Sequence, residues 1–311
     1  MNPEIIVVGS SNIDMVVNAE HLPSAGETVL GGKFFMNPGG KGANQAITVA
    51  RLGSRVRFIT KMGNDIFCMQ AIQLFEEEGI DPTYISKDPL NPTGVALITV
   101  DANAENCIVV ASGANANLLP ADIARAEKDM AGAEIILVQL EVPIETVEYV
   151  ADLAAARGIK LVLNPAPVCA LSARLLQHVY ILTPNRKEAE MLSGIPVQSI
   201  EDAERAAAVI SSKGVSIVIV TLGAEGVLVL DNGVYTRVPA VSVQAVDTTA
   251  AGDVFNGALV VALSEGRGII NAVEFACKAA AIAVTRLGAH ASIPYRREVD
   301  GPDVARSKTK D

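Results

Sequence analysis

Short runs of β-branched residues alternate along this chain with longer Ala-rich stretches in which apolar positions recur every three or four residues. The first pattern predicts strands buried on both faces, and the second predicts amphipathic helices. Residues 5–8 (Ile-Ile-Val-Val) predict a strand, and residues 42–52 predict a helix stopped by Gly53. Further strands are predicted at 55–60, 135–139, 160–164, 180–183, 216–221 and 226–231. Further helices are predicted at 67–78, 144–156, 186–193, 200–212, 252–264 and 270–286. Strand–helix–strand repetition implies a mostly parallel sheet with helices on both faces, a three-layer α/β/α sandwich.

Two stretches break that rhythm. Residues 13–37 hold two extended runs, 13–18 and 28–36, and no helical pattern. Residues 94–100 and 106–111 flank a hairpin-like turn, Asp101 to Glu105. Together they predict a small β-sheet lid, discontinuous in sequence, within a single domain spanning 1–311. From Asp300 the chain is polar and charged, which predicts a frayed tail.

Composition narrows the class. Half of the 311 residues are hydrophobic and 19% are charged, as in a globular protein with a large core. A net charge of −10 repels phosphate backbones, so no nucleic-acid partner is expected, while a local site for a small anion is compatible with it. Met1 leads directly into a strand-like run, and no apolar run approaches the roughly 20 residues of a membrane helix. Neither a signal peptide nor a membrane span is therefore expected. Cys68, Cys107, Cys169 and Cys277 are far apart, which predicts free thiols in a reducing cytoplasm. His21, His178 and His290 lie beside no Ser or Cys signature, and no His/Cys cluster has zinc spacing.

The segment richest in chemistry is Val246-Asp247-Thr248-Thr249-Ala250-Ala251-Gly252-Asp253-Val254-Phe255-Asn256-Gly257-Ala258. Small residues at a helix start let backbone N–H groups approach a ligand closely, and the helix dipole favours an anion there. The same field is expected to keep the Asp253 carboxylate ionised. An ionised carboxylate beside an anion hole suits phosphoryl transfer: Asp253 accepts a hydroxyl proton while N–H groups from Ala250, Ala251, Gly252 and Asp253 stabilise the moving phosphoryl. An isolated Gly-Asp pair also reads as an ordinary helix cap.

This string resembles the second signature of the ribokinase (pfkB-type) family of carbohydrate kinases. A segment resembling the first signature is Asn37-Pro38-Gly39-Gly40-Lys41-Gly42-Ala43-Asn44-Gln45-Ala46. It lacks P-loop spacing. Its glycines let backbone approach a polyhydroxylated sugar, with Lys41 and Asn44 as donors. The resemblance runs from Gly9 to about Pro294 and implies the family's ribokinase-like fold. By that resemblance, Asn12, Asp14, Gly40, Lys41, Gly42, Asn44, Glu141 and Asp253 hold the sugar. Taken alone, an Asp or Glu at a strand end also reads as a cap.

Asn185-Arg186-Lys187-Glu188 matches the family's Asn-x-x-Glu motif, which implies Mg²⁺ held largely through water by Asn185 and Glu188. The same pair reads as a helix capping box. Thr221-Leu222-Gly223-Ala224-Glu225-Gly226 resembles the nucleotide loop, with Gly223 and Gly226 close to ATP and Gly252 beside its phosphates. Cys277 stands where the family often has Asn, so that adenine contact departs from the pattern. Arg286-Leu287-Gly288-Ala289-His290-Ala291-Ser292-Ile293-Pro294 resembles the family's monovalent-cation loop. The implied K⁺ set is Asp247, Thr249, Ala283, Arg286, Gly288 and Ser292.

The activity implied is ATP-dependent phosphorylation of the 5-hydroxyl of D-ribose, by a homodimer joined through the lid. Other acceptors in the same family are 2-deoxyribose, fructose or a nucleoside. A non-catalytic sugar-binding regulator is the alternative of another class, and the intact Asp253 argues against it.

Overall fold

The structure is a computed structural model, and it describes residues 4–30, 32–103, 105–130 and 132–301. The tail expected to fray lies outside the described residues beyond 301. The strands in chain order are β1 (Glu4–Val8), β2 (Asn12–Asn18), β3 (Phe34–Gly39), β4 (Arg55–Gly63), β5 (Ile85–Asp88), β6 (Gly94–Val100), β7 (Asn106–Ala111), β8 (Ala133–Val138), β9 (Lys160–Leu163), β10 (Ile181–Leu182), β11 (Ile217–Thr221), β12 (Val227–Asp231) and β13 (Val234–Val238). The helices are α1 (Lys41–Arg51), α2 (Ile66–Glu77), α3 (Pro120–Ala126), α4 (Ile144–Arg157), α5 (Ala173–His178), α6 (Arg186–Ser193), α7 (Ile200–Ser212), α8 (Ala251–Ser264), α9 (Ile269–Ala283), α10 (Ala289–Ser292) and α11 (Arg296–Val299).

Nine strands form one sheet in the order β13-β12-β11-β10-β9-β8-β1-β4-β5. Its pairings are parallel from β11 to β5; only β12 runs against its neighbours. The strand period of two explains the layering. Ile5 and Val7 of β1 face a core built with α1, α8 and α9, whereas Ile6 and Val8 face one built with α3, α4 and α7. All four are fully buried, so β1 needs an apolar residue at every one of those positions.

A separate four-stranded sheet has the order β3-β2-β6-β7. It joins residues from the two stretches that break the strand–helix rhythm. The strand expected over 28–36 pairs only from Phe34. Gly32, at φ +99°, approaches the Asn18 carbonyl so closely that a Cβ would sit 1.4 Å from its oxygen, and the chain turns there rather than running extended. The parallel order of the large sheet sends the ends of β1, β8, β9, β10 and β11 to one edge, where α/β proteins of this kind place their ligand crevices.

Candidate active site

The first-signature glycines are set by backbone crowding. Gly40 caps α1 at φ +91°, and a Cβ there would lie 2.8 Å from the Asn12 nitrogen. A Cβ on Gly42 would lie 2.6 Å from Gly9 C and from Ser10 N. Helix α1 therefore starts directly on the turn that leaves β1. Ala43 N–H donates to the Ser10 carbonyl at 2.9 Å, and Glu141 accepts both the Ser10 hydroxyl at 2.6 Å and the Lys41 N–H at 3.0 Å. Lys41 Nζ stands 3.9 Å from Glu141 Oε1.

Asp253 lies in the first turn of α8 and is buried. Asn44 Nδ2 donates to its Oδ2 and Gln45 Nε2 to its Oδ1, each at 3.0 Å. Burial works against the ionising effect expected of the helix start. Burial pushes the Asp253 pKa up, and Glu141 adds to the rise, against the Lys41 charge and the amide donors of Asn44 and Gln45. Lys41 is held protonated above its usual range, chiefly by Asp253. Asp14 is raised to about 6, by burial first and then by Glu141 and Asp253. Asp14, Lys41, Glu141 and Asp253 thus form one electrostatic unit.

The residue before α8, Ala250, is left-handed at φ 59°, an unfavourable conformation for a residue with a Cβ. It turns the start of α8 toward a polar pocket of about 230 Å³ lined by Lys41, Asn185, Glu188, Gly252 and Asp253. The Ala251 N–H is taken by the Thr248 carbonyl at 3.2 Å, so it serves the turn rather than an anion. A second, largely apolar cleft of about 460 Å³ adjoins it. Gly223, Gly226 and Cys277 line that cleft, and Thr221, Thr248, Ala251 and Gly252 line both spaces. Burial pushes the Cys277 thiol up to about 12, so it faces the cleft as a small neutral group.

Asn185 and Glu188 form the full capping box of α6: Asn185 Oδ1 accepts the Glu188 N–H at 2.9 Å and Glu188 Oε2 accepts the Asn185 N–H at 2.8 Å. Glu188 is nevertheless buried at the pocket wall, with its pKa raised by that burial. The pair therefore forms the helix cap and also lines the polar pocket.

Asp247 binds the segment before α8 to the loop after α9. Its carboxylate accepts the Thr249 N–H at 2.9 Å and the Gly288 N–H at 2.8 Å. Burial works to raise its pKa, but these hydrogen bonds outweigh it and hold the carboxyl below the usual range. The Ala283 carbonyl accepts the Arg286 N–H at 3.0 Å, and the Arg286 guanidinium pairs with Glu298. The Ser292 hydroxyl donates to the Ala289 carbonyl at 2.8 Å. Arg51, at the end of α1, holds the same loop through the carbonyls of His290 and Ile293 at 3.0 and 2.7 Å. Among the described residues no group of three or more His, Cys, Asp and Glu side chains is placed to hold a metal, and no helix is long and apolar enough to cross a membrane.

Several polar residues at the site carry no motif signal of their own. Asn115 Nδ2 donates to Asn12 Oδ1 at 2.7 Å, fixing the side chain expected to meet the sugar. Gln139, Asn164 and Thr183 each follow an apolar strand and are buried at the same sheet edge. Their common position after β8, β9 and β10 is the signal, and it becomes visible only once those strands are known to be neighbours.

Comparison with known proteins agrees with this geometry. Residues 2–296 match the family described as pfkB family carbohydrate kinase. The chain is 44% identical over 298 residues to the ribokinase of Haemophilus influenzae, covering 96% of this chain and 97% of that one. It is 38% identical over 296 residues to the deoxyribokinase of Salmonella typhi, covering 94% and 95%. The solved structure of Arabidopsis thaliana ribokinase complexed with ribose and ATP matches with a TM-score of 0.89 at 31% identity, covering 96% of this chain and 98% of that one. A chain matched by one family along nearly its whole length, with both of its signature segments meeting at one carboxylate, belongs to the pfkB family of carbohydrate kinases.

Proposed function

We propose that the chain is an ATP-dependent ribokinase that transfers phosphate to the 5-hydroxyl of D-ribose. The observation that carries this is the grip of Asn44 and Gln45, from the glycine-rich segment, on Asp253 at the start of α8. Sugar site, base and anion hole then meet at one buried carboxylate. Asn44 Oδ1 is buried without a hydrogen-bond partner, an acceptor suited to a sugar hydroxyl. Asn12, Asp14, Lys41 and Glu141 supply the remaining polar contacts. Asp253 takes the proton from the 5-hydroxyl as that oxygen attacks the γ-phosphorus. N–H groups at the start of α8 stabilise the transferred phosphoryl, and the nucleotide lies in the adjoining apolar cleft.

The donor set fits Mg²⁺. Glu188 uses two acceptor positions on Asn185 and keeps others for the hydration shell of an ion beside the phosphates, whose charge the ion would neutralise. Asp247, the Thr249 and Ser292 hydroxyls and the carbonyls of Ala283, Arg286 and Gly288 supply the oxygen chemistry that suits K⁺. Its charge would order the loop behind α8.

The small sheet acts as a lid that excludes water from the transfer. It exposes an apolar face that includes Phe34, Met36, Leu97 and Val109, each about half exposed, which supports a homodimer through this sheet. The buried or unpaired state of the four cysteines suits a reducing cytoplasm.

The likeness to a deoxyribokinase keeps 2-deoxyribose as the second reading. A panel of ribose, 2-deoxyribose, fructose and nucleosides with ATP decides it. Ribose should give the highest kcat/KM; ribose slower than every alternative would refute the assignment.

A further inference from the structure

A line of buried side-chain amides runs beneath the proposed base. Gln45 is fully buried in the second turn of α1. Its Nε2 donates to Asp253 Oδ1 at 3.0 Å and to Asn164 Oδ1 at 3.2 Å. Two acceptors on that side fix which end of the amide faces Asp253, because a reversed amide would set a carbonyl oxygen against a carboxylate. Gln45 Oε1 must then face the other way, where Gln139 Nε2 donates to it.

Gln139 is also fully buried, and this arrangement leaves its own Oε1 without a partner. That oxygen lies against Gly9, where a Cβ would come within 2.0 Å of it. A buried carbonyl oxygen left unpaired is destabilising, and an apolar side chain of similar length would avoid it. Asn164 continues the line: its Nδ2 reaches the Thr183 carbonyl at 3.5 Å, Thr183 Oγ1 donates to Asn256 Oδ1 at 2.7 Å, and Asn256 Nδ2 donates to the Gly252 carbonyl at 2.8 Å. The line leaves Asp253 and returns to the residue before it.

We infer that Gln45 is a positioning residue for Asp253, and that Gln139 backs it by donating to the Gln45 oxygen that faces away, so that a donor, never an acceptor, stays on the carboxylate. The pair holds Asp253 in one rotamer and stabilises its ionised form. A buried polar group kept at a cost to the fold is the pattern expected of a functional constraint rather than of core filling. The inference rests on Asp253 being the base. Lys41, Asp14, Glu141 and Glu188 also act electrostatically around Asp253, and all stay unchanged in the variants below.

The test compares wild type, Gln45→Met, Gln139→Met and Asp253→Asn, with Tm, and with kcat and KM for ribose from pH 5 to 9. Gln45→Met should move the acid limb of kcat up by about one pH unit, with kcat at pH 7 about tenfold lower and KM changed less than about threefold. Gln139→Met should move the acid limb in the same direction but less far, since Gln45 keeps its two acceptors and loses only the donor behind it. A merely structural amide would lower Tm and leave the profile alone. If Asp253→Asn is inactive and the folded Gln45→Met or Gln139→Met keeps the wild-type acid limb, the inference is overturned and the base assignment stands. Activity in Asp253→Asn within about tenfold of wild type would instead overturn the base assignment.

Discussion

Asn44 Nδ2 donates to Asp253 Oδ2 at 3.0 Å across 209 residues of sequence. One amide thereby joins the glycine-rich start of α1 to the start of α8. Its donor end orients the base, and its acceptor end, Oδ1, is buried and free for a hydroxyl. Asn44→Ala should lose both. The expected result is a kcat/KM for ribose lower by about 10- to 100-fold, with kcat and KM both changed, corresponding to one hydrogen bond to a charged group. A change in KM alone would mean that Asn44 serves only the sugar.

Asp14 couples stability to pH. Its carboxyl is raised from 3.8 to about 6, first by burial and then by Glu141 and Asp253. A carboxyl raised in the folded state contributes stability below pH 3.8 and loses it as pH rises through about 6. At neutral pH the fold therefore carries an unfavourable charge at the proposed sugar site. Asp14→Asn should raise stability by about 1–2 kcal/mol at pH 8, after allowance for partial exposure, and by almost nothing at pH 4. KM for ribose should rise at least about tenfold, because the acceptor for two hydroxyls is lost. Equal Tm values for variant and wild type at pH 8 would contradict this account.

The two α8-flanking segments give a cation prediction. Asp247 ties Thr249 to Gly288, while Arg51 holds the carbonyls of His290 and Ile293. If K⁺ completes this junction, rates at saturating ribose should be higher in KCl than in NaCl at equal ionic strength. Asp247→Ala should remove that difference and lower the rate in both salts. Equal wild-type rates in the two salts would remove K⁺ from the mechanism.

Much of this was legible in the sequence because the signals were local. The helix predicted at 42–52 from apolar spacing, with Gly53 as its stop, lies within a residue of α1 at both ends. The second signature located Asp253, but not its protonation. Helix-start chemistry predicts an ionised carboxylate, and only the folded packing shows that burial opposes it. Strand β13 was missed although Asn232-Gly233 before it, at φ 47° and 78°, is a strong hairpin signal. Gln45 lies in the first-signature segment, where its sequence context assigns it no role. Its role depends on Gln139 and Asn164, which are 94 and 119 residues away and reach it only through the order β8-β9 beside β1. A polar residue after an apolar run looks like any strand cap until the sheet order is known.

The central claim is that Asp253 is the base. Asp253→Asn keeps the size of the side chain and its place at the start of α8, and removes the proton acceptor. The direct measurement is ADP formation with saturating ribose and ATP, beside ribose binding by calorimetry. Turnover should fall by about 10² to 10⁴ while ribose still binds. Turnover within about tenfold of wild type, in a variant that binds ribose normally, would contradict the account.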